Sequence, residues 1–222
     1  MGQYSRRVLE FSKSDKYKMN DDKACFFATA KSHSVDFSVV VERGRVKKLN
    51  HRPCHNTAID SVSYALCALL ENSQMQRVES LSAREVESFL RDQNHVSSME
   101  GSEFPSEFIE LFCAKLMGHI FSVELSDGLE MWQIGPEASY VDKINAISDF
   151  FTLRVNTLGY LSEKNIEVEC IHLSETELVI GFKSGINNMK LAPNTLNKEL
   201  LGTLEELVRS VIQCEKINLV AE

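Results

Sequence analysis

The stretch NHRPCHNTAIDSVSYALCALLE, residues 50 to 71, sets one cysteine and two histidines on a proline-marked turn ahead of a helical pattern. A thiol and imidazoles placed so closely raise metal ligation first. Cys54 directly follows Pro53 and precedes a helix start near Thr57 or Ala58, where unpaired backbone donors and the helix dipole stabilise a thiolate. Thiolate and imidazole suit zinc and iron centres better than carboxylates do, but several such ligands must converge from different elements. Two further candidates stand apart in the chain: His33, in a loop before a predicted hairpin, and Cys113, on a later helix after the apolar Phe112. The same cysteines also read as small apolar residues packed in a core, and both readings stay open here. Cys67 fits packing, lying between Leu66 and Ala68, and Cys170 and Cys214 have no histidine beside them.

Nucleophilic catalysis needs a base within reach of the nucleophile, and Cys54-His55 is the local pair that offers one. Adjacent side chains on a turn point apart, and nothing nearby supplies an oxyanion donor or an orienting acid. An enzyme is therefore not expected. Asp60, six residues after Cys54, reads as a solvated helix residue, with a reach back toward the turn as the alternative.

Elements that would position these residues follow from periodicity. TAIDSVSYALCALLE carries Ile59, Val62, Leu66, Leu69 and Leu70 along one helical face. Before it, VDFSVVVERGRVKKL is two extended runs joined at Glu42-Arg43-Gly44-Arg45, where glycine accepts positive φ. CFFATA is expected as an edge strand, and YSRRVLEFSKS as a short amphipathic helix carrying Val8, Leu9 and Phe11. Ser82 predicts a helix N-cap, with Glu85 completing a capping box, and Pro105 opens a helix expected to break or end near Gly118. Past LSDGLEMWQIGPEAS the rhythm changes. Residues 142 to 161 predict a helix, IEVECIHL and TELVIGF two strands about a Ser174-Glu175 turn, and NTLNKELLGTLEELVRSVI a long helix before a strand at INLV. The fold class expected is α+β, with an antiparallel sheet packed against helices in residues 1–128 and a small two-layer α/β domain in residues 138–222.

Composition narrows the function. An apolar fraction of 43% with 12 phenylalanines supports a true core. With 24 Lys and Arg against 32 Asp and Glu, the net charge of -8 opposes nucleic acid and anionic lipid, so neither is expected as a partner. No apolar run reaches signal-peptide or membrane-spanning length, and Arg6 stands where a myristoylation signal after Gly2 prefers Ser or Thr, so a cytoplasmic place is expected. Six cysteines without a CxxC pair fit neither a disulfide framework nor a self-contained zinc knuckle.

Residues 4 to about 125 resemble the NifU/IscU family of iron-sulfur cluster assembly scaffolds. The resemblance lies in the opening YSRRVLEF, the strand pair DFSVVVERGRV, a cysteine ahead of a helix rich in small residues, and a late cysteine in FIELFCAKLMGHIF. It implies a site of three cysteines with an aspartate and a histidine. Carried over, the second and third cysteines are Cys54 and Cys113, the first falls on or beside Lys31, His33 takes the aspartate's place, and Phe112 the histidine's. About half of that ligand set is missing. The pair Cys54 and Cys113 with His33 is then a candidate site for a single zinc or iron ion, with water, Cys25 or His55 closing the shell, while a complete iron-sulfur cluster is not expected.

Residues 142 to 220 resemble the NifU C-terminal domain, with Ile186 and Met189 in place of its two motif cysteines, which removes that site. Together the resemblances imply an iron-sulfur cluster assembly-related protein with an incomplete metal site, or a non-metal adaptor or regulatory protein keeping the scaffold fold. The implied partners are a cysteine desulfurase or another scaffold protein.

Overall fold

A computed structural model of the chain describes residues 3–20, 23–30, 33–100, 104–135, 137–174, 176–186, 198–212 and 216–220. Lys31, Met189 and Cys214 lie outside the described residues. Two compact units divide the chain, Met1–Ile120 and Phe121–Glu222.

In the first unit, β1 (Gln3–Tyr4) pairs with β5 (Met99–Glu100) beside helix α1 (Arg6–Lys13). Ser5 caps α1, its hydroxyl accepting from the Val8 N–H at 3.1 Å, and the Asp92 carboxylate accepts from the N–H groups of Arg6 and Arg7. That satisfies three of the donors a helix start leaves unpaired. The main sheet is antiparallel, with β3 (His33–Glu42) central between β2 (Phe26–Ala30) and β4 (Arg45–His51). CFFATA thus forms an edge strand, and His33 is the first residue of β3, paired with Ala30 rather than held in a loop. Val35, Phe37 and Val39 alternate into the core, as period two requires of a half-buried strand. Phe37 meets Phe112 and Phe108 of helix α5 (Ser106–Ser126) at centroid distances of 4.6 and 6.3 Å, and these aromatic contacts join sheet to helix. Helix α2 (Thr57–Leu70) buries Ile59, Val62, Leu66 and Leu70 as its pattern predicts. Short helices α3 (Met75–Ser80) and α4 (Ala83–Leu90) complete this layer.

Two local expectations are corrected here. Helix α5 runs through Gly118 without a break, because Leu116, Met117, Ile120 and Phe121 around it are all buried and outweigh a cost of about 1 kcal/mol for a helical glycine. Ser82 caps α4 by accepting from the Glu85 N–H at 3.2 Å, but Glu85 does not reach back: its carboxylate takes a bidentate pair from Arg77 of α3. An ionised partner is the stronger donor, so it wins the carboxylate.

The second unit holds helix α6 (Tyr140–Phe150), a π-helical segment at Phe151–Val155, and helix α7 (Gly159–Glu163) where one continuous helix is expected. Asn156 ends the π segment, and its side-chain amide donates to the Val168 carbonyl and accepts from the Val168 N–H, at 3.0 and 2.7 Å. The helix is broken where that amide binds strand β6 (Ile166–Leu173). Strand β7 (Glu177–Ser184) lies between β6, antiparallel, and β8 (Lys216–Val220), parallel, with helix α8 (Lys198–Ile212) in the chain between β7 and β8. A parallel pair needs such a crossover. β6 is bulged between Cys170 and His172, and the extra residue, Ile171, lies over Gly181, where an added Cβ would stand 2.9 Å from Ile171 Cγ1. Any larger residue there would have to push the Ile171 side chain aside.

The architecture is thus mixed α and β, with an antiparallel sheet packed against helices in the first unit. Among the described residues, no helix is long and apolar enough to cross a membrane.

Candidate functional site

Cys54 sits on the turn between β4 and α2, partly buried. Asn56 caps α2, its Oδ1 accepting from the Ile59 N–H at 3.1 Å, and its own N–H points at the Cys54 sulfur at 3.5 Å. The Cys54 N–H donates to Asp60 Oδ1 at 2.8 Å. Asp60 is therefore not solvated: it is 3% exposed and reaches back across the first turn of α2, and its two neighbours Ile59 and Ser61 are buried with it. His51, the last residue of β4 and 1% exposed, brings Nδ1 to 3.7 Å from the same Asp60 oxygen and 3.3 Å from the Arg52 carbonyl. Its Nε2 is buried without a hydrogen-bond partner among the described residues. Burial lowers the His51 pKa, opposed by Asp60 and the Arg52 carbonyl and helped by Lys18. Neutral His51, Asp60 and the Cys54 backbone thus form one buried polar seam that fixes the turn.

Cys113 occupies a different setting. It faces into the packing of α5, 8% exposed, and burial pushes its thiol up to about 12 against the pull of Arg77, with Glu110 adding to the rise. Phe112 beside it is fully buried between Phe37 and Phe26. Cys67 is fully buried on α2 and its thiol is raised well above the ordinary value by burial, as packing implies. Cys25 is exposed ahead of β2, with the Val39 N–H 3.4 Å from its sulfur, and His55 is exposed beside Cys54. Cys170 lies half-buried on β6, its thiol raised by burial. Ile186 is 77% exposed after β7.

Among the described residues, no three His, Cys, Asp or Glu side chains are grouped so as to hold a metal ion. His33, Cys54 and Cys113 are therefore not brought together as one ligand set. An iron-sulfur cluster needs four such ligands, more than the described residues bring to any one place. Sequence reasoning missed the role of His51 and preferred a solvated Asp60, holding its reach back toward the turn only as the alternative. A signal existed: Asp60, Ser63 and Cys67 recur at helical spacing beside the apolar stripe, and all three are buried.

No protein-family model matches the chain, and no curated protein matches it. Among solved structures it is similar to the N-terminal part of a nitrogen-fixing NifU-like protein from Brucella abortus, at 13% identity, TM-score 0.31, over 52% of this chain and 81% of that one. A second is a proposed iron-sulfur cluster assembly scaffold protein for the SUF system from the thermophile Fervidobacterium islandicum AW-1, at 11% identity, TM-score 0.32, over 53% of this chain and 88% of that one. Likeness at that level carries no argument about this chain's chemistry.

Proposed function

We propose that this chain is an iron-sulfur cluster assembly-related adaptor: a non-enzymatic, cytoplasmic binding protein that keeps the arrangement of a scaffold and does not build a cluster. The link to assembly comes from the sequence resemblance over residues 4 to about 125. What carries the adaptor role is the packing at the third ligand position, where Phe112 is 0% and Cys113 8% exposed. A ligand pair turned into the core serves folding. In this reading the chain consists of a scaffold-like domain to about residue 128 and, from about 138, a domain like the NifU C-terminal one without its cysteine motif. Its partners are a cysteine desulfurase or a genuine scaffold protein.

Anaerobic reconstitution with iron, a sulfur donor and a desulfurase tests this, with visible absorption following the cluster and a parallel pull-down following association. Association without a cluster is the expected result. A cluster at full occupancy overturns the adaptor role, and absence of both removes the chain from iron-sulfur assembly.

A second reading is favoured by one observation: Cys54 is partly accessible beside the exposed His55. A single zinc ion would draw on Cys54, with Cys113 or His33 recruited by local rearrangement and water completing a tetrahedron. Elemental analysis of untagged protein against Cys54→Ala and Cys113→Ala decides it, because metal content unchanged in both variants sinks this reading.

A further inference from the structure

The β3–β4 hairpin carries an unused feature in a chain of net charge -8: four of the six residues from 43 to 48, namely Arg43, Arg45, Lys47 and Lys48, are cations. All four are exposed, and none forms an ion pair with another described residue. Glu42, Arg43, Arg45 and Lys47 line a cleft of about 570 Å³ at the hairpin tip. Glu42, opposite Arg45 across the hairpin, offsets one of these charges, and the remaining like charges so close repel one another.

A second, independent observation concerns Arg43. The Glu42–Arg45 pair closes a two-residue turn with φ of +50° at Arg43 and +68° at Gly44. Turns with both central residues at positive φ favour Asn-Gly, because asparagine tolerates the left-handed region and a long side chain does not. An arginine at a tip position that asparagine would fit with less strain points to a use for its guanidinium.

We propose that the hairpin tip is a docking surface for an extended acidic peptide segment of a protein partner. The register shift opposite Val40 and Val41 leaves Lys47 unpaired, with Lys47 and Lys48 both exposed, so they and Arg45 give this end of β4 three outward cations. Carboxylates along an extended partner segment meet them, and Arg43 takes a further one with its planar fork. A protein segment fits better than nucleic acid. A long polyanion crossing the tip would run onto the rest of the first unit, which without these four cations carries 12 Lys and Arg against 16 Asp and Glu, whereas a short acidic segment ends within the patch. This surface is distinct from the Cys54 turn, and its test is independent of the adaptor reading.

Fluorescence anisotropy of the full chain with a labelled decaglutamate peptide, and separately with decathymidylate, tests the proposal at low salt. Arg43→Asn removes one cation while relieving the strained φ. It is expected to weaken peptide binding roughly two- to fivefold, as loss of one exposed ion pair does, with a melting temperature equal to or above the parent's. The triple variant Arg43→Glu, Arg45→Glu, Lys47→Glu is expected to abolish binding, and Lys13→Glu with Arg84→Glu to leave it largely in place. No peptide binding by the parent overturns the proposal, as does parent-like binding by Arg43→Asn or equal loss in the Lys13 and Arg84 control. Tighter binding of decathymidylate than of peptide overturns the choice of partner.

Discussion

The two units differ most in what they bury. Every buried polar or charged side chain among the described residues, Ser38, Asn50, His51, Asp60, Ser61, Ser63 and Ser98, lies in the first unit, while the second is filled by residues such as Phe150, Phe151, Val168, Ile180 and Leu204. Apolar cores accept many sequences of similar volume, whereas a buried polar group must find its partner or destabilise the fold. The first unit therefore carries a constraint that the second lacks. That constraint is concentrated at the turn holding Cys54.

The largest expected effect probes the plainer unit. Phe150→Ala should cost about 3–5 kcal/mol, with amide protection lost across β6 and β7, as for any large aromatic removed from a packed core. Phe112→Ala should cost as much in β3 and α5, so this pair of variants measures how alike the two cores are before their polar content is considered. If hydrogen exchange shows either site costing under about 1 kcal/mol, that core is looser than the packing indicates.

Asp60→Ala sharpens the contrast. It strips the Cys54 N–H of its acceptor and His51 of its neighbouring carboxylate, an expected loss of about 2–3 kcal/mol by urea denaturation. Asp60→Asn keeps an oxygen for the Cys54 N–H and should lose less. Equal stability of all three proteins would mean the seam contributes nothing and the two interiors differ only in appearance.

Acidification separates the units by sign. Burial, aided by Lys18 and resisted by Asp60, holds folded His51 below the ordinary imidazole value of 6.5, so the unfolded chain takes up the proton first. Its contribution is present above pH 6.5 and drains away as pH falls through the folded value, at up to about 1.4 kcal/mol per pH unit. In the second unit, burial raises Glu124 above 4.5 against the pull of Arg154, so its contribution is present in acid and lost as pH rises through the folded value. Protection in α2 should therefore fall between pH 7 and 5 while that in β6 and β7 does not. Parallel decline in both units contradicts the assignment.

Ser82→Ala, the smallest change, should cost about 1 kcal/mol through loss of the α4 cap. Because Glu85 is already engaged by Arg77, Glu85→Ala should instead loosen α3 against α4, visible as faster exchange in both helices.

Much of the architecture was legible because apolar spacing and turn residues specify local structure directly. The stripe of Ile59, Val62, Leu66 and Leu70 reads from period, and the Arg43-Gly44 turn and the strands about Ser174 from turn residues between extended runs. Gly118 and the π segment did not, since tertiary packing overrode the propensity of a glycine in one case and Asn156 claimed the Val168 backbone in the other. At the candidate site, the position of Cys54 ahead of a helix was visible, but the burial of Asp60 was not. The helical spacing of Asp60, Ser63 and Cys67 hints at a buried face, but linear spacing does not reveal that the Cys54 N–H is the donor the carboxylate serves.

The close fit of Ile171 over Gly181 bears on the order in which the second unit assembles. β6 and β7 are neighbours in sequence, so their hairpin forms early, before α8 and β8 arrive. Several registers compete at that stage, and hydrogen bonding alone separates them poorly. A slip by one residue would take Ile171 off its seat over Gly181 and turn the buried side chains of β6 to the other face of the sheet. The one position of β7 without a side chain thus helps mark the native pairing.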